Sequence, residues 1–417
     1  MVRKILPNIG WNFVVFGLGF FPQLLILRLV ISWIGIESFG QASLILALWL
    51  PIAVVGAVLF QSVTREMSAK SAEPNSGDIS DIFYSAVMLC LVATATTAGA
   101  LIAIGPGISR FFGSVNLDTQ GIRNLLLITS FGLICKQFSL IFQGSCAATQ
   151  NFAKIARVAV ISAIGSTICT LLCTYCYRTT EGYLTGFSIS CIFQLLIWVC
   201  VFRFPRRTKL LRHIVKSKSM MGLVKFGKWQ LVAQISGAAS YSSDRLTLGV
   251  FSNAYAIGQY SVAQRLHEAS YIGVIKITEV LFPHFGATAD QSPRQRYSFF
   301  LLSSWILISA STALFTPIIP LAEGILYLIV GSEIGENSVA IFRTLMLAGM
   351  LSCGSIVFTT CTLGLGRSEA IAGLVSFHSA ITIVSTILII SNFGGVAAGF
   401  GLLIANFVRF CITVHWT

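Results

Sequence analysis

Long apolar runs separated by short polar segments dominate the sequence. Twelve such runs can be placed, at 10–34, 40–62, 82–104, 121–142, 155–176, 184–202, 223–250, 258–282, 298–320, 338–360, 370–390 and 395–414. A helix needs about 20 apolar residues to cross a bilayer, whereas a barrel strand needs about ten residues of alternating polarity. The continuous runs therefore predict an all-α polytopic membrane protein with about twelve transmembrane helices.

Composition and charge placement support this prediction. Of the 417 residues, 55% are hydrophobic and only 10% are charged, whereas soluble domains average about 25% charged residues. Lys and Arg concentrate on one side of the predicted membrane, which sets that side as cytoplasmic and places both termini there. The basic residues on that side are Arg3, Lys4, Arg65, Lys70, Lys154, the block from Arg203 to Lys218, Arg294, Arg296 and Arg367; the other side holds Arg110 and Arg178.

The longest basic stretch, Arg203 to Lys218, lies at the middle of the chain. It predicts an N-terminal six-helix bundle at 1–202, a basic cytoplasmic linker at 203–222 and a C-terminal six-helix bundle at 223–417. The linker either attracts anionic lipid or a phosphorylated ligand, or serves only to set the topology.

Short sequence matches relate the two halves. Ser38-Phe-Gly-Gln-Ala-Ser43 and Ala256-Ile-Gly-Gln-Tyr-Ser261 lie 218 residues apart, and Ala148-Thr-Gln-Asn-Phe152 and Gly364-Leu-Gly-Arg-Ser368 lie 216 apart. Both pairs follow helices of corresponding number. We therefore expect two parallel six-helix repeats, related by an axis along the membrane normal, with a central site between them.

Charged side chains inside the eighth run form one polar face. At about 100° per residue, Arg265 and Lys276 point within about 20° of each other, and Glu268 and Glu279 lie about 60° to the side. Ionisable groups at membrane depth are costly and mark functional sites or internal pairs. We interpret Arg265 and Lys276 as substrate-binding and the two glutamates as ion-coupling or ion-pairing residues. Ion pairs within a packed bundle are the alternative.

Two further arginines lie near the outer ends of their runs. Arg28 is in the first run, and Arg245 follows Asp244 in the seventh, 217 residues later. The duplication would place one arginine from each half across the axis, where guanidinium groups suit a pyrophosphate or an acidic sugar. Asp244 is assigned to ion coupling or pairing. Snorkelling of the arginines toward outer headgroups is the alternative.

Weaker signals come from single polar residues within other runs. Lys136, Arg343 and His378 are further substrate-site candidates, although His378 also suits an ordinary interhelical hydrogen bond. Gly395 and Gly399 form a G-x-x-x-G pattern, which is typical of a close-packing helix face.

The sequence lacks several patterns of catalytic and nucleotide-binding proteins. It contains no Walker A motif, no H-E-x-x-H and no G-x-S-x-G, which are typical of ATP sites, metalloproteases and serine hydrolases. We therefore predict a protein that is not an enzyme, with no cofactor, no metal site and no nucleic-acid partner.

Several segments carry a family resemblance. They are Gly35-Ile-Glu-Ser-Phe-Gly40, Arg65, Asp244-Arg245, Gly258-Gln-Tyr260 and Leu363-Gly-Leu-Gly366. With the helix count, they resemble the Wzx-type O-antigen flippases, a polysaccharide transporter family in the superfamily of the multidrug and toxin extruders (MATE-like fold).

The resemblance implies both an activity and its setting. The activity is alternating-access transfer of an undecaprenyl-pyrophosphate-linked oligosaccharide, as in lipopolysaccharide assembly, from the cytoplasmic to the outer leaflet of the bacterial inner membrane. The implied partners are that lipid-linked oligosaccharide, membrane lipid, and the polysaccharide polymerase and chain-length machinery.

Three other functions stay open. A drug or metabolite antiporter of the same fold would need an acidic cavity if it exported cations. The charged residues of the cavity predicted here are mixed to basic. A membrane enzyme of polysaccharide assembly would need a larger external loop. A peptidoglycan-precursor flippase would usually show fourteen helices.

Overall fold

The computed structural model describes residues 2–71, 77–108, 112, 119–149, 151–202, 217–287, 293–331, 336–364 and 368–416. Within these ranges, the side chains that lie outside the description are those at 2–25, 51–52, 69–71, 77–79, 106, 108, 119, 152, 217–227, 272–273, 293, 295–296, 363–364, 368, 416 and 275–287. Lys276 and Glu279 belong to the last group, so only their backbone can be placed.

Helices occupy every apolar run that the sequence predicts. In the described residues they are α1 (Val2–Ser71), α2 (Gly77–Ile108), α3 (Thr119–Ala148), α4 (Phe152–Tyr177), α5 (Thr180–Val201), α6 (Ser217–Phe251), α7 (Ala254–Ala287), α8 (Pro293–Ile318), α9 (Ala322–Val330), α10 (Glu336–Gly364), α11 (Ser368–Phe393) and α12 (Phe400–Trp416), with a 3₁₀ turn at Gly395–Ala397. The all-α prediction is confirmed. The short α9 was not predicted.

Nine segments of the described chain are long and apolar enough to cross a membrane. The first of them, Ile26–Leu50, extends across the boundary between the first two predicted runs. The described parts of α6 and α7 are not among these segments, and they carry the charged residues at 244, 245, 265 and 268. The chain is a multi-pass membrane protein.

Helix α1 contains two predicted runs that meet at Gly35. No separate loop divides them, contrary to the prediction of a short connection there. Gly35 alone has non-helical dihedrals, with φ 78° and ψ 159°. This left-handed region is costly for residues with a Cβ, which explains a glycine at the break.

Contacts group the chain into two compact units. Unit 1 contains residues 1–44 and 239–417, and unit 2 contains residues 45–238. The first predicted run therefore shares a unit with the C-terminal helices, and the unit boundaries fall inside α1 and α6. The predicted division at 203–222 follows the sequence duplication and stays a prediction, since residues 203–216 lie outside the described chain.

Unit 2 has an apolar core built from α1 to α5. Its aromatic centre joins Phe83, Phe142 and Phe202, with ring centroids 5.0–5.6 Å apart. Polar groups inside it bond to helix backbones, as when the Gln137 side-chain amide donates to the Ala53 carbonyl oxygen at 2.7 Å. Such bonds satisfy polar groups that lipid cannot.

Unit 1 contains a close backbone contact between the two related glycine segments. A Cβ placed on Gly40 would overlap the Ala254 carbonyl oxygen and lie 2.8 Å from the Gly258 nitrogen. A Cβ on Gly258 would overlap the Ile36 carbonyl oxygen. Residues 36–40 of α1 and 254–258 of α7 therefore touch backbone to backbone, and the glycines that meet are the pair matched by the 218-residue repeat.

We expect Gly40→Ala and Gly258→Ala each to destabilise the protein by about 1–3 kcal/mol, because the added methyl meets backbone atoms that cannot rotate away. The apparent melting temperature of purified protein in detergent measures the effect. Gly373→Ala is the matched control, since a Cβ there meets nothing within 4 Å. Equal melting temperatures for all three variants would contradict the close contact.

Candidate functional site

The charged residues predicted in the seventh and eighth runs lie in unit 1, on α6 and α7. The two helices are joined by the short segment Ser252–Asn253, so the end of α6 packs beside the start of α7. This turn brings Asp244 and Arg245 next to the α7 residues from Tyr260 onward. The candidate site is built around these residues.

The Asp244 carboxylate is buried and holds three segments together. Its Oδ2 accepts a hydrogen bond from the Tyr260 hydroxyl at 3.0 Å, and its Oδ1 accepts one from the Gly399 backbone N–H at 3.1 Å. Asp244 is 2% exposed. A buried carboxylate that accepts two donors stabilises its surroundings, so Asp244 fixes α6 to α7 and to the residue just before α12.

Gly399 has a different role from the predicted one. Gly395 lies in the 3₁₀ turn, and Gly399 has φ 92°, so the G-x-x-x-G pattern does not form a helix face. The prediction of a packing motif is wrong. The positive φ, which glycine tolerates, occurs where the Gly399 N–H meets the Asp244 carboxylate.

Arg245 has a hydrogen-bonding edge that no described residue meets. Its guanidinium lies over the Tyr241 ring, 5.1 Å from the centroid, and its Nε and Nη2 atoms are buried with no hydrogen-bond partner among the described residues. These two nitrogens form the side-on edge with which arginine binds carboxylate or phosphate in a bidentate manner. A half-buried arginine with this edge unoccupied is suited to bind an anion.

Arg265 adds a second positive charge beside the first. Its guanidinium lies over the Phe39 ring of α1, 5.4 Å from the centroid, and its charge acts on that of Arg245. The aromatic faces attract both cations and hold them in position. The structure thus brings together Arg245 and Arg265, which were predicted from separate helices.

Glu268 lies on α7, three residues after Arg265, and is half-buried. Among the described residues, no hydrogen-bond donor and no charged partner meets its carboxylate. Because the side chain of Lys276 lies outside the described residues, the internal ion pair stays an alternative. Asp244, by contrast, accepts hydrogen bonds from two described donors.

Arg28 and Arg343 both contact helix-end carbonyl groups. Arg28 donates from Nη1 to the Leu328 carbonyl oxygen at 3.4 Å, near the end of α9. Arg343 donates from Nε to the Ile319 carbonyl oxygen at 3.2 Å, just after α8. Cations stabilise such helix ends by meeting unpaired carbonyls. Arg28 shares a unit with Arg245, but its surroundings are different, and its role in substrate binding stays a prediction.

The two remaining candidates lie in separate units. In unit 1, the His378 Nε2 is 2.9 Å from Asn406 Oδ1, and Asn406 donates to the Ala348 carbonyl oxygen. His378 thus has the interhelical hydrogen bond considered for it. In unit 2, Lys136 is exposed and lies 5.8 Å from the centroid of the Phe187 ring.

Sequence reasoning missed two residues of unit 1, Tyr260 and Arg409. Tyr260 donates a hydrogen bond to Asp244. Its position within the segment Ala256–Ser261 did not indicate this contact. Arg409 lies inside the last apolar run, where a single charge is itself a signal. Among the described residues, no three His, Cys, Asp or Glu side chains converge to hold a metal ion.

Comparisons with known proteins agree with the fold. A family described as "Polysaccharide biosynthesis protein" matches residues 34–333. No curated protein sequence matches the chain significantly.

Solved structures cover nearly the whole chain. An inward-facing multidrug resistance MATE family transporter of the MOP superfamily has a TM-score of 0.79 at 14% identity, over 96% of this chain and 93% of that one. Lipid II flippase MurJ, in an inward closed conformation, has 0.77 at 13%, over 97% and 86%. A MOP superfamily transporter from Pyrococcus furiosus has 0.70 at 15%, over 98% and 94%. The predicted MATE-like fold is confirmed.

We expect Asp244→Ala to lower the melting temperature, because the Tyr260 hydroxyl and the Gly399 N–H lose their acceptor, at about 1–3 kcal/mol for each unsatisfied group. Tyr260→Phe should cost less. A double-mutant cycle in detergent measures the coupling, which we expect to be about 1 kcal/mol. Strictly additive effects would show that the bond contributes nothing to stability.

Proposed function

This chain belongs to the polysaccharide biosynthesis protein family, and on that premise we propose that it is a flippase for an undecaprenyl-pyrophosphate-linked oligosaccharide. The observation that carries the proposal is the side-on edge of Arg245, which no described residue meets, beside the charge of Arg265. A pyrophosphate is a doubly anionic group that two neighbouring guanidiniums can bind. The similar fold of a protein named as a lipid II flippase supports a lipid-linked substrate.

In this proposal the protein works by alternating access without catalysing a reaction. The anionic head group binds at Arg245 and Arg265, while the prenyl chain stays in lipid, where its transfer to water would be costly. Transfer runs from the cytoplasmic to the outer leaflet of a bacterial inner membrane, with both termini cytoplasmic. O-antigen or another surface polysaccharide repeat unit is the cargo, and polymerase and chain-length proteins act next.

The proposed binding role also includes Lys276 and Arg28, with Glu279 as a further acidic candidate. Lys276 follows Arg265 by 11 residues, which places it on the same side of α7. Arg28 is exposed and bonds only weakly to the Leu328 carbonyl at 3.4 Å, so it can exchange that bond for an anion. Lys136, in unit 2, is a weaker candidate for the same role.

The proposal is tested in cells that lack the gene and any redundant flippase. Lipid-linked oligosaccharide should accumulate on the cytoplasmic side and surface polysaccharide should be lost, with rescue by the intact gene. Arg245→Gln should lower transport about 10–100-fold, because a charge-assisted bidentate contact is lost. Arg245→Lys should rescue partly, since lysine keeps the charge but lacks the planar fork.

Arg178→Gln is the matched control for these variants. This substitution removes the same charge, but Arg178 caps α4 and lies over the Tyr175 ring. Arg178 belongs to unit 2, whereas the proposed site lies in unit 1. Arg178→Gln should rescue fully. Normal surface polysaccharide and no trapped intermediate in the deletion strain would overturn the flippase proposal.

A second candidate function is supported by the Glu268 carboxylate, which has no partner among the described side chains. The MATE transporter with a similar fold is named for multidrug resistance, and a free acid at membrane depth can bind a cation or a coupling proton. An antiporter of drugs or metabolites is therefore the alternative. A membrane enzyme would instead be revealed by product formation from purified protein and donor sugars.

We expect Glu268→Gln to uncouple transport from an ion gradient while leaving head-group binding intact, because the amide keeps the shape and loses the charge. Proteoliposomes with and without an imposed proton or sodium gradient measure this. If the protein is a flippase, the intact protein and the Glu268→Gln variant both transport the lipid-linked substrate. Gradient-driven efflux of a drug cation, lost in the variant, would instead favour the antiporter.

A further inference from the structure

Helix α9, at Ala322–Val330, has no part in the candidate site. Its nine residues extend about 13.5 Å, which is less than half the thickness of the hydrocarbon layer. It lies between the spans Tyr297–Ile318 and Glu336–Thr362. Because one span ends and the next begins at the same membrane edge, α9 lies at that edge and does not cross the bilayer. With both termini cytoplasmic, as proposed above, this is the outer edge.

One side of α9 holds the helix to the protein. Ala322, Leu326 and Val330 are buried and recur every four residues, so they form one stripe along the helix. Near the end of the helix, the Leu328 carbonyl oxygen accepts a hydrogen bond from Arg28 of α1 at 3.4 Å. These contacts fix the orientation of α9 in unit 1.

The exposed part of α9 has an apolar side and a polar side. Leu321 and Leu328 are 60% and 73% exposed, and at about 100° per residue they lie with the half-buried Ile325 within about 60° of one another. Glu323 and Tyr327 are also exposed, and they lie about 120–160° away from Leu321. This division is typical of a helix in the membrane interface, with hydrocarbon on one side and water on the other.

Arg343 places a positive charge beside the start of α9. It is exposed, and its Nε donates to the Ile319 carbonyl oxygen at 3.2 Å, two residues before Leu321. This bond uses one of the five N–H groups of a guanidinium, so the others can meet a phosphate oxygen. Glu323 lies on the other exposed side of α9, and Glu336 lies seven residues before Arg343 on α10, about 10.5 Å along the helix.

We propose that α9 and Arg343 form a phospholipid-binding surface in the headgroup layer. Leu321 and Leu328 insert into the hydrocarbon, the polar side faces water, and Arg343 binds the phosphate of an anionic phospholipid. The bilayer is the occupant because exposed apolar side chains continue from α8, where Leu314 is exposed one turn before the helix ends, into α9. The inference goes beyond the proposed function and does not depend on the substrate.

The first test measures where the two exposed sides of α9 lie. The photoreactive residue p-benzoylphenylalanine replaces Leu321, Leu328 or Glu323, one at a time, in full-length protein in lipid nanodiscs. Irradiation should attach lipid at both leucine positions. Glu323 is the matched control, at which lipid adducts should be absent. Equal lipid adducts at all three positions, or cross-links from Leu328 to a second copy or another protein, would overturn the proposal.

The second test measures the headgroup preference beside Arg343. In nanodiscs of equimolar phosphatidylglycerol and phosphatidylcholine with identical acyl chains, adducts at Leu321 should be enriched about fivefold in phosphatidylglycerol, the effect of one arginine near the membrane surface. Arg343→Gln should remove this enrichment, and Arg343→Lys should keep most of it. Trp305, exposed in the middle of α8, is the control position, where Arg343→Gln should leave the adduct ratio unchanged.

An equimolar adduct ratio at Leu321 in the intact protein would overturn the binding of an anionic headgroup. An enrichment that persists in Arg343→Gln, or that falls equally at Leu321 and Trp305, would overturn the role of Arg343. Should Arg343→Gln not fold, the intact protein decides: enrichment at Leu321 that is absent at Trp305 supports the proposal, and equal ratios at the two positions overturn it.

Discussion

The backbone contact between residues 36–40 and 254–258 is the constraint on which the candidate site depends. Glycine at 40 and 258 lets α1 and α7 approach without intervening side chains, and such close approach is available only where a Cβ is absent. The approach fixes the position of α7 along α1, and it places Phe39 beneath the Arg265 guanidinium. The duplicated motif is therefore a structural contact that also positions a charged side chain.

Asp244 and Arg245 are adjacent in unit 1, but their different hydrogen bonding gives them different roles. Asp244 and Arg245 are neighbours in sequence, but they point about 100° apart around α6. Asp244 faces Tyr260 and Gly399 and accepts a hydrogen bond from each. Arg245 faces Tyr241, and no described residue hydrogen-bonds to the side-on edge of its guanidinium. The acid holds the helices together, which leaves the neighbouring cation available for a ligand.

Arginines at membrane depth fall into two groups according to their partners. Arg28 and Arg343 bond to carbonyls at helix ends, where water and lipid headgroups would otherwise be needed. Arg245 and Arg409 each have a buried nitrogen with no hydrogen-bond partner among the described residues. Because an unsatisfied buried donor is costly, we infer ligand binding from Arg245 in the second group. Both of its members lie in unit 1, in which the charged residues of α7 also lie.

The sequence by itself determined the helix positions, the membrane class and the family resemblance, because hydropathy and run length depend on each segment alone. It also identified the charged face of α7, since helical periodicity follows from residue spacing. Only the tertiary structure decided which arginines have described partners, that Gly395 and Gly399 precede α12 instead of sharing a helix face, and that the first run groups with the C-terminal helices. Periodicity gives the direction of a side chain, whereas its partners depend on which helix packs against it.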